Sequence, residues 1–340
     1  MDYQYPFLTT EFEPVGGELR AELEDFVVEE IPAYEPSGEG DHVLVEIEKS
    51  GLTTREAVRQ IAQALDVSPR DAGWAGMKDR HAVTRQWLSF FGTDPDRARA
   101  VDVEGIRVIS SGRHQHKLRV GHLRGNRFAI RLRGADPAKL ETAQSVLEVL
   151  ASVGCPNYFG EQRFGRGGET YTDARRWLID EGRAPRSRFK RKLLVSTLQS
   201  HAFNAVVADR VVAQTLDKAI AGDVLKKEDS GGLFVCTDVS ADQARVRDWQ
   251  VSPTGPMFGR KMSRAEGTVG EYESKIFETE GFTDEVLRRF GKLGLGTRRP
   301  LRVQPHDWSV DADEFGLLFR FHLSPGSYAT TLLREVRKSY

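Results

Sequence analysis

The sequence predicts an α+β fold built on a largely antiparallel sheet. Stretches of alternating apolar and polar residues read as strands, and neighbouring strands are separated by tight turns. Helical stretches fall in blocks of their own, without regular βαβ alternation. In chain order, Asp41 to Lys49 alternates Val43, Val45 and Ile47 against polar neighbours, the period of a half-buried strand. Thr53 to Leu65 reads as a helix, with Thr53 as N-cap and Glu56 at the capping-box position. Arg127 to Arg133 alternates Phe128, Ile130 and Leu132 with arginines, so guanidinium groups are expected outward and apolar groups inward. Asp136 to Val153 is a second helix, its first turn suited to Pro137. A third is expected from Thr197 to Ala221, where Phe203, Val206, Val207, Val211 and Leu216 fall near one stripe. The C-terminus reads as strand Leu301 to Val310, turn Asp311 to Glu314, strand Phe315 to Leu323, then a closing helix.

At roughly 150 residues per domain, the 340-residue length suggests two domains. Composition shifts near Gly154, a glycine-rich stretch and a helix-rich region follow, and strand character returns near Pro300. Two sequential domains and one domain inserted into another both fit this order. Two cysteines, Cys155 and Cys236, are too few for a disulfide framework or a cysteine-built metal site, so a cytoplasmic setting is expected. No run approaches 18 apolar residues and the N-terminus is polar and acidic, so neither a membrane span nor a secretory signal is expected.

Charge is balanced overall and segregated locally. The whole chain carries 49 basic and 50 acidic residues, which by itself argues against a nucleic-acid partner. Glu11 to Lys49, however, holds thirteen acidic residues and two basic ones. Arg113 to Arg133 has seven Lys or Arg, three His and no carboxylate, and Arg183 to Lys192 has six basic residues in ten. Val286 to Arg299 adds five more. Such runs suit one face meeting phosphates. Solvated faces would give the same pattern.

The common chemical signatures are missing: there is no GxxxxGK[ST], GxGxxG, HExxH or GxSxG. His114, His116 and His122 lie close in sequence, but their basic surroundings would repel a cation, so no metal is expected. The most unusual segment is Gly73 to Ser89, which packs Lys78, Asp79, Arg80, His81, Thr84, Arg85 and Gln86 after a glycine-punctuated turn. An oriented, ionised Asp79 could act as nucleophile or base; it could equally be a turn aspartate paired at the surface.

Gly76 to Gln86 (GMKDRHAVTRQ) resembles the GxKDxxAxTxQ motif of the TruD family of tRNA pseudouridine synthases. Further segments agree in order: Glu24 to Glu30 with the family's EDFxVxE, Gly125 to Ile130 with GNxFxI, and Asn157 to Gly165 with NYFGxQRFG. Gln199 to Asn204 is similar to QSxxFN, and Gly326 to Thr330 to the C-terminal G-[SC]-[YF]-AT. The matches run from residue 24 to residue 330.

The resemblance implies a pseudouridine-synthase catalytic domain with a mixed, largely antiparallel sheet, interrupted by a TruD-specific α/β insertion domain. The expected division is residues 1–155 and 304–340 for the catalytic domain and 156–303 for the insert. It implies isomerisation of a tRNA uridine, uridine 13 of the D-arm in bacterial members, with Asp79 as the catalytic residue. Isomerisation involves no redox change and no external energy source, so no cofactor is expected. By the same resemblance Phe26, Phe128 and Tyr328 would line the base pocket. Asn126 would hold the catalytic loop or contact Asp79, and Lys78 would bias the Asp79 carboxylate or hold a phosphate. Arg119, Arg124, Arg186 and Lys190 are the candidate contacts to the RNA backbone. A monomer without an obligatory protein partner is expected.

Overall fold

The computed structural model describes residues 4–338. Among them the chain forms two compact units, each assembled from separated pieces of sequence. One comprises Pro14–Leu147 and Pro305–Ser327; the other comprises the residues up to Glu13, Glu148–Gln304 and those from Tyr328 onward.

The first unit is built on a mixed sheet whose main strands are β1 (Phe26–Pro32), β2 (His42–Ser50), β3 (Val83–Phe91), β4 (Ile106–His114), β5 (Leu123–Arg133), β6 (His306–Asp313) and β7 (Gly316–Leu323). Their spatial order is β6-β7-β5-β1-β3-β2-β4. β1 and β3 run parallel, and every other neighbouring pair in that order is antiparallel. The short strand Gly73–Trp74 pairs with the Leu88–Ser89 end of β3 and delivers the chain to the Asp79 loop.

Period-two alternation sets the core. Val43, Val45 and Ile47 of β2 have no exposed surface and pack against Ala57, Val58, Ile61 and Leu65 of α1 (Thr54–Leu65). Burial of each large apolar side chain contributes roughly 1.5–3 kcal/mol, which fixes the register of β2 beneath the helix. α1 starts where the sequence says it should: Thr53 accepts from the Glu56 backbone, and Glu56 accepts from the Thr53 N–H at 2.8 Å. On β5, Phe128, Ile130 and Leu132 are buried as expected. The arginines between them face carboxylates, Arg127 with Glu29 (3.3 Å), Arg131 with Asp313, and Arg133 with Asp25 (2.7 Å).

The C-terminal strands begin later than the sequence suggests. Arg302–Val303 pairs with Cys155–Pro156, and β6 starts only at His306, because Pro305 has no N–H to donate to a ladder. The expected helix at Asp136 is present as a capped 3₁₀ turn, Pro137–Lys139, followed by α2 (Leu140–Val153).

In the second unit a four-stranded sheet runs in the order Leu233–Val235, Val224–Lys227, Val251–Met257, Thr297–Pro300, antiparallel throughout. It packs with α3 (Arg188–Val212), whose Phe203, Val206 and Val207 are buried. The helix expected over Thr197 to Ala221 therefore starts nine residues earlier and ends nine residues earlier (197 − 188 and 221 − 212). Ser187 caps it by accepting from the Lys190 N–H (3.3 Å), and Gln214, in the left-handed region at φ 54°, ends it. α4 (Ala329–Arg337) closes the chain.

Candidate active site

Asp79 sits on the loop between Gly73–Trp74 and β3, with about half of its side-chain surface exposed. The Arg20 guanidinium donates to its carboxylate at 2.6 Å, a charge-assisted bond that fixes the direction of the acid. The same guanidinium lies over the Phe26 ring, 4.2 Å from its centroid. Carboxylate, cation and aromatic ring thus form one contiguous cluster. Arg20 reaches it from a left-handed backbone conformation, φ 64°, which is uncommon for a side chain of this kind.

The loop is tied down from beneath. The Lys78 N–H donates to Thr54 Oγ1 (2.8 Å), and that hydroxyl donates to Gln86 Oε1 (2.9 Å). Lys49 Nζ donates to the carbonyls of Asp79 (2.9 Å) and Leu52 (2.5 Å). The Lys49 side chain is buried, and burial pulls its ammonium down to about 8 from the ordinary 10.5, with Asp79 opposing the fall. Arg80 is paired outward with Glu56.

Lys78 turns away from its neighbour in sequence. Its ammonium is buried against Glu30 (3.1 Å) and donates to Asn126 Oδ1 (2.5 Å). Burial pushes the Glu30 carboxyl above the usual range, with the Lys78 ammonium opposing it. Lys78 therefore holds β1, β5 and the Asp79 loop together from inside, a position with no room for a phosphate. Asn126 reaches the Asp79 loop through Lys78.

Phe26 and Phe128 lie on one face of β1 and β5, where Phe26 pairs with Ile130 and Val28 with Phe128. Phe128 stacks on Phe321 with centroids 5.3 Å apart. It also borders a cavity of about 300 Å³, shared with Arg127, Arg320 and His322, that Asp79 does not line. Tyr328 belongs to the other compact unit, where it caps α4, accepts a hydrogen bond from Arg163 (3.1 Å) and has its ring 6.1 Å from that of Phe159.

The basic runs divide by what they meet. Arg119 and Arg124 are exposed and face no carboxylate among the described residues. In the other unit Arg186 is exposed, whereas Lys190 pairs with Asp173 at 2.9 Å. The run Val286 to Arg299 is not a phosphate-facing surface at its end: Arg298 is buried and makes a two-pronged pair with Glu273 (2.7 and 2.8 Å). His114 stacks on Tyr34 at 4.8 Å and His122 shares a hydrogen bond with the Tyr34 hydroxyl (2.6 Å), so these rings pack rather than face phosphate. Among the described residues no group of three or more His, Cys, Asp or Glu converges as a metal site would. None of the described helices is long and apolar enough to cross a membrane.

This cluster stands on a chain whose similarity to known proteins is extensive. The family model for tRNA pseudouridine synthase D (TruD) matches residues 3–172 and 187–336. The chain belongs to the TruD family of tRNA pseudouridine synthases. It is 45% identical to tRNA pseudouridine synthase D of Anaeromyxobacter dehalogenans strain 2CP-C, over 98% of this chain and 96% of the relative. It is 41% identical to tRNA pseudouridine synthase D of Thermus thermophilus, over 98% of this chain and 92% of the relative. A crystal structure of tRNA pseudouridine synthase D from Methanosarcina mazei superposes with a TM-score of 0.78 at 25% identity, covering 98% of this chain and 96% of that one. The family makes the protein an isomerase, with a pseudouridine-synthase fold on a mixed sheet.

Sequence reasoning missed Arg20, Lys49 and Glu30. A signal was present for each: Glu30 is the closing Glu of the EDFxVxE segment, and Arg20 and Lys49 are the two basic residues in the acid-rich stretch Glu11 to Lys49, both of which reach Asp79. Lys49 also continues the buried alternation of Val43, Val45 and Ile47, placing an ammonium where the pattern calls for an apolar side chain.

Proposed function

We propose that the protein converts uridine 13 in the D-arm of tRNA to pseudouridine, and that Asp79 is the carboxylate that acts on the ribose. The observation that carries this reading is the Asp79 carboxylate itself: half-exposed, on the GxKD loop, and aimed by Arg20 beside the Phe26 ring. The reaction breaks the bond between N1 of uracil and C1′ of ribose, turns the base, and joins C5 to C1′. The proton on C5 is released and N1 ends protonated, so atoms and electrons balance without a redox partner. Both routes open to a carboxylate, addition to C1′ and removal of the C2′ proton, use an oriented acid at the position Asp79 occupies.

The target base must leave its stack, at a cost of a few kcal/mol. Aromatic surfaces return about 1–3 kcal/mol per stacked base. Phe26 and Phe128 are the rings we assign to the base, and Lys78 with Asn126 to holding the loop. Arg119, Arg124, Arg186 and Lys190 are our candidates for the phosphate backbone, with Arg186 ahead of Lys190 because the latter is already paired. We take residues 1–155 and 304–340 as the catalytic domain and 156–303 as an inserted one, and the protein as a cytoplasmic monomer acting on tRNA alone.

Mapping pseudouridine in tRNA treated with the purified protein tests the reading. The expected product has pseudouridine at position 13. Modification elsewhere would remove the site assignment, and bound but unmodified tRNA would indicate a binding protein with an idle pocket.

A further inference from the structure

Lys49 is a buried lysine with no carboxylate within 4.0 Å among the described residues. Such a charge is costly and is seldom kept without a partner or a task. Its register partners on β3 and β4 are Thr84 and Ile106, neither of which titrates. The charged groups that face it are Asp79, Lys78 and Glu56. Lys78 is taken up by Glu30 and Asn126, and Glu56 by Thr53 and Arg80. Asp79 is paired as well, with Arg20, but of the three it is the one whose main chain Lys49 bonds, so Asp79 is the acid Lys49 serves. A methionine or leucine there would complete the apolar face begun by Val43, Val45 and Ile47, yet the chain places an ammonium under the carbonyl of Asp79.

We propose that Lys49 is a positioning residue of the isomerisation: it ties the Asp79 carbonyl to that of Leu52 and supplies from below a positive charge that the Asp79 carboxylate works against. This rests on the reading of Asp79 as the catalytic acid. Arg20 holds the carboxylate from the solvent side and Lys49 holds the backbone from the core side, so the acid is gripped at both ends. Because burial brings the Lys49 ammonium to about 8, the clamp is charged below that pH and neutral above it. Activity is therefore expected to be full at pH 7 and to fall as pH rises through about 8.

The test compares wild type, Lys49→Met, Lys49→Arg and Asp79→Asn in tritium release from C5-labelled tRNA between pH 6.5 and 9, with tRNA affinity measured in parallel. Lys49→Met should lower kcat by about 10²-fold, the cost of misplacing a reacting group by about 1 Å, with tRNA affinity changed less than about threefold by an interior substitution. The alkaline limb near pH 8 should be present in wild type and absent from the methionine variant. Lys49→Arg, charged at every pH tested, should recover part of kcat without that limb. A methionine variant with wild-type kcat, or a limb shared by wild type and variant, would overturn the role of Lys49 while an inactive Asp79→Asn keeps the reading of Asp79. Activity in Asp79→Asn would remove that reading and this inference with it. Should Lys49→Met fail to fold, the wild-type profile and Lys49→Arg decide, and a flat wild-type profile counts against the proposal.

Discussion

The Asp79 loop and the run Arg183 to Lys192 are both dense in charge, and they spend it in opposite ways. On the loop every charge is matched: Lys78 with Glu30, Asp79 with Arg20, Arg80 with Glu56. In the basic run Lys190 pairs with Asp173, while Arg183, Arg186, Arg188 and Lys192 are exposed and face no carboxylate among the described residues. Arg188 and Lys190 also stand in the first turn of α3, which has no acidic residue, against the preference of a helix N-terminus for negative charge. Matched charge holds one geometry, as the bond breaking proposed for Asp79 would demand. Unmatched charge, kept at a small cost to the helix, is available to an anionic partner. Substitutions in the first region should change turnover, and those in the second should change affinity and its salt dependence.

The largest effect outside Asp79 itself is expected at Arg20. Removing a preorganised charged donor at a reacting centre costs about 10²–10³ in kcat, so Arg20→Ala should lose that much in tritium release while melting close to wild type. Wild-type turnover by that variant would break the link between matched charge and chemistry. Arg298→Ala sharpens the comparison from the other side. It leaves Glu273 buried without its partner, at a cost of about 3–5 kcal/mol, read as a lower midpoint in urea. Its basic run would then count as framework and not as an RNA surface.

Smaller effects belong to the exposed run. Arg186→Ala should weaken tRNA binding several-fold and reduce the slope of log affinity against log salt by about 0.7–0.9, one phosphate's worth. Lys190→Ala should do less, because its bond to Asp173 already competes with RNA. A Lys190 effect larger than that of Arg186 would reverse the ranking drawn from pairing. The smallest change is expected for Arg80→Ala, read as a urea midpoint close to wild type, because its exposed pair with Glu56 is screened by water.

Much of this was legible in the sequence, for identifiable reasons. Alternation at Val43, Val45 and Ile47 and at Phe128, Ile130 and Leu132 reports burial directly, since period two separates the faces of a strand. The Thr53–Glu56 box marks a helix start by local chemistry alone. The GxKD segment identified Asp79 and, with five other segments, the family. What escaped depends on distance along the chain. The residues themselves stand out, but their partners do not: Arg20 meets Asp79 across 59 residues, and the Trp87 N–H donates to Glu30 across 57, pairings that no local pattern encodes. Lys78 illustrates a related point: adjacency to Asp79 in sequence suggests a shared task, whereas the cross-strand pairing of Glu30 with Asn126 draws its ammonium inward. Arg298 shows the limit of counting charge, because a basic residue in an acid-free run can still find a buried glutamate elsewhere, here Glu273 on the helix Gly267–Thr279.

The most direct measurement is tritium release from C5-labelled uridine in tRNA by wild type and by Asp79→Asn, a nearly isosteric change that removes the carboxylate. Wild type should release tritium and form pseudouridine. The variant should bind tRNA, fold as wild type does and release none. Turnover by Asp79→Asn at the wild-type rate would contradict the account at its centre.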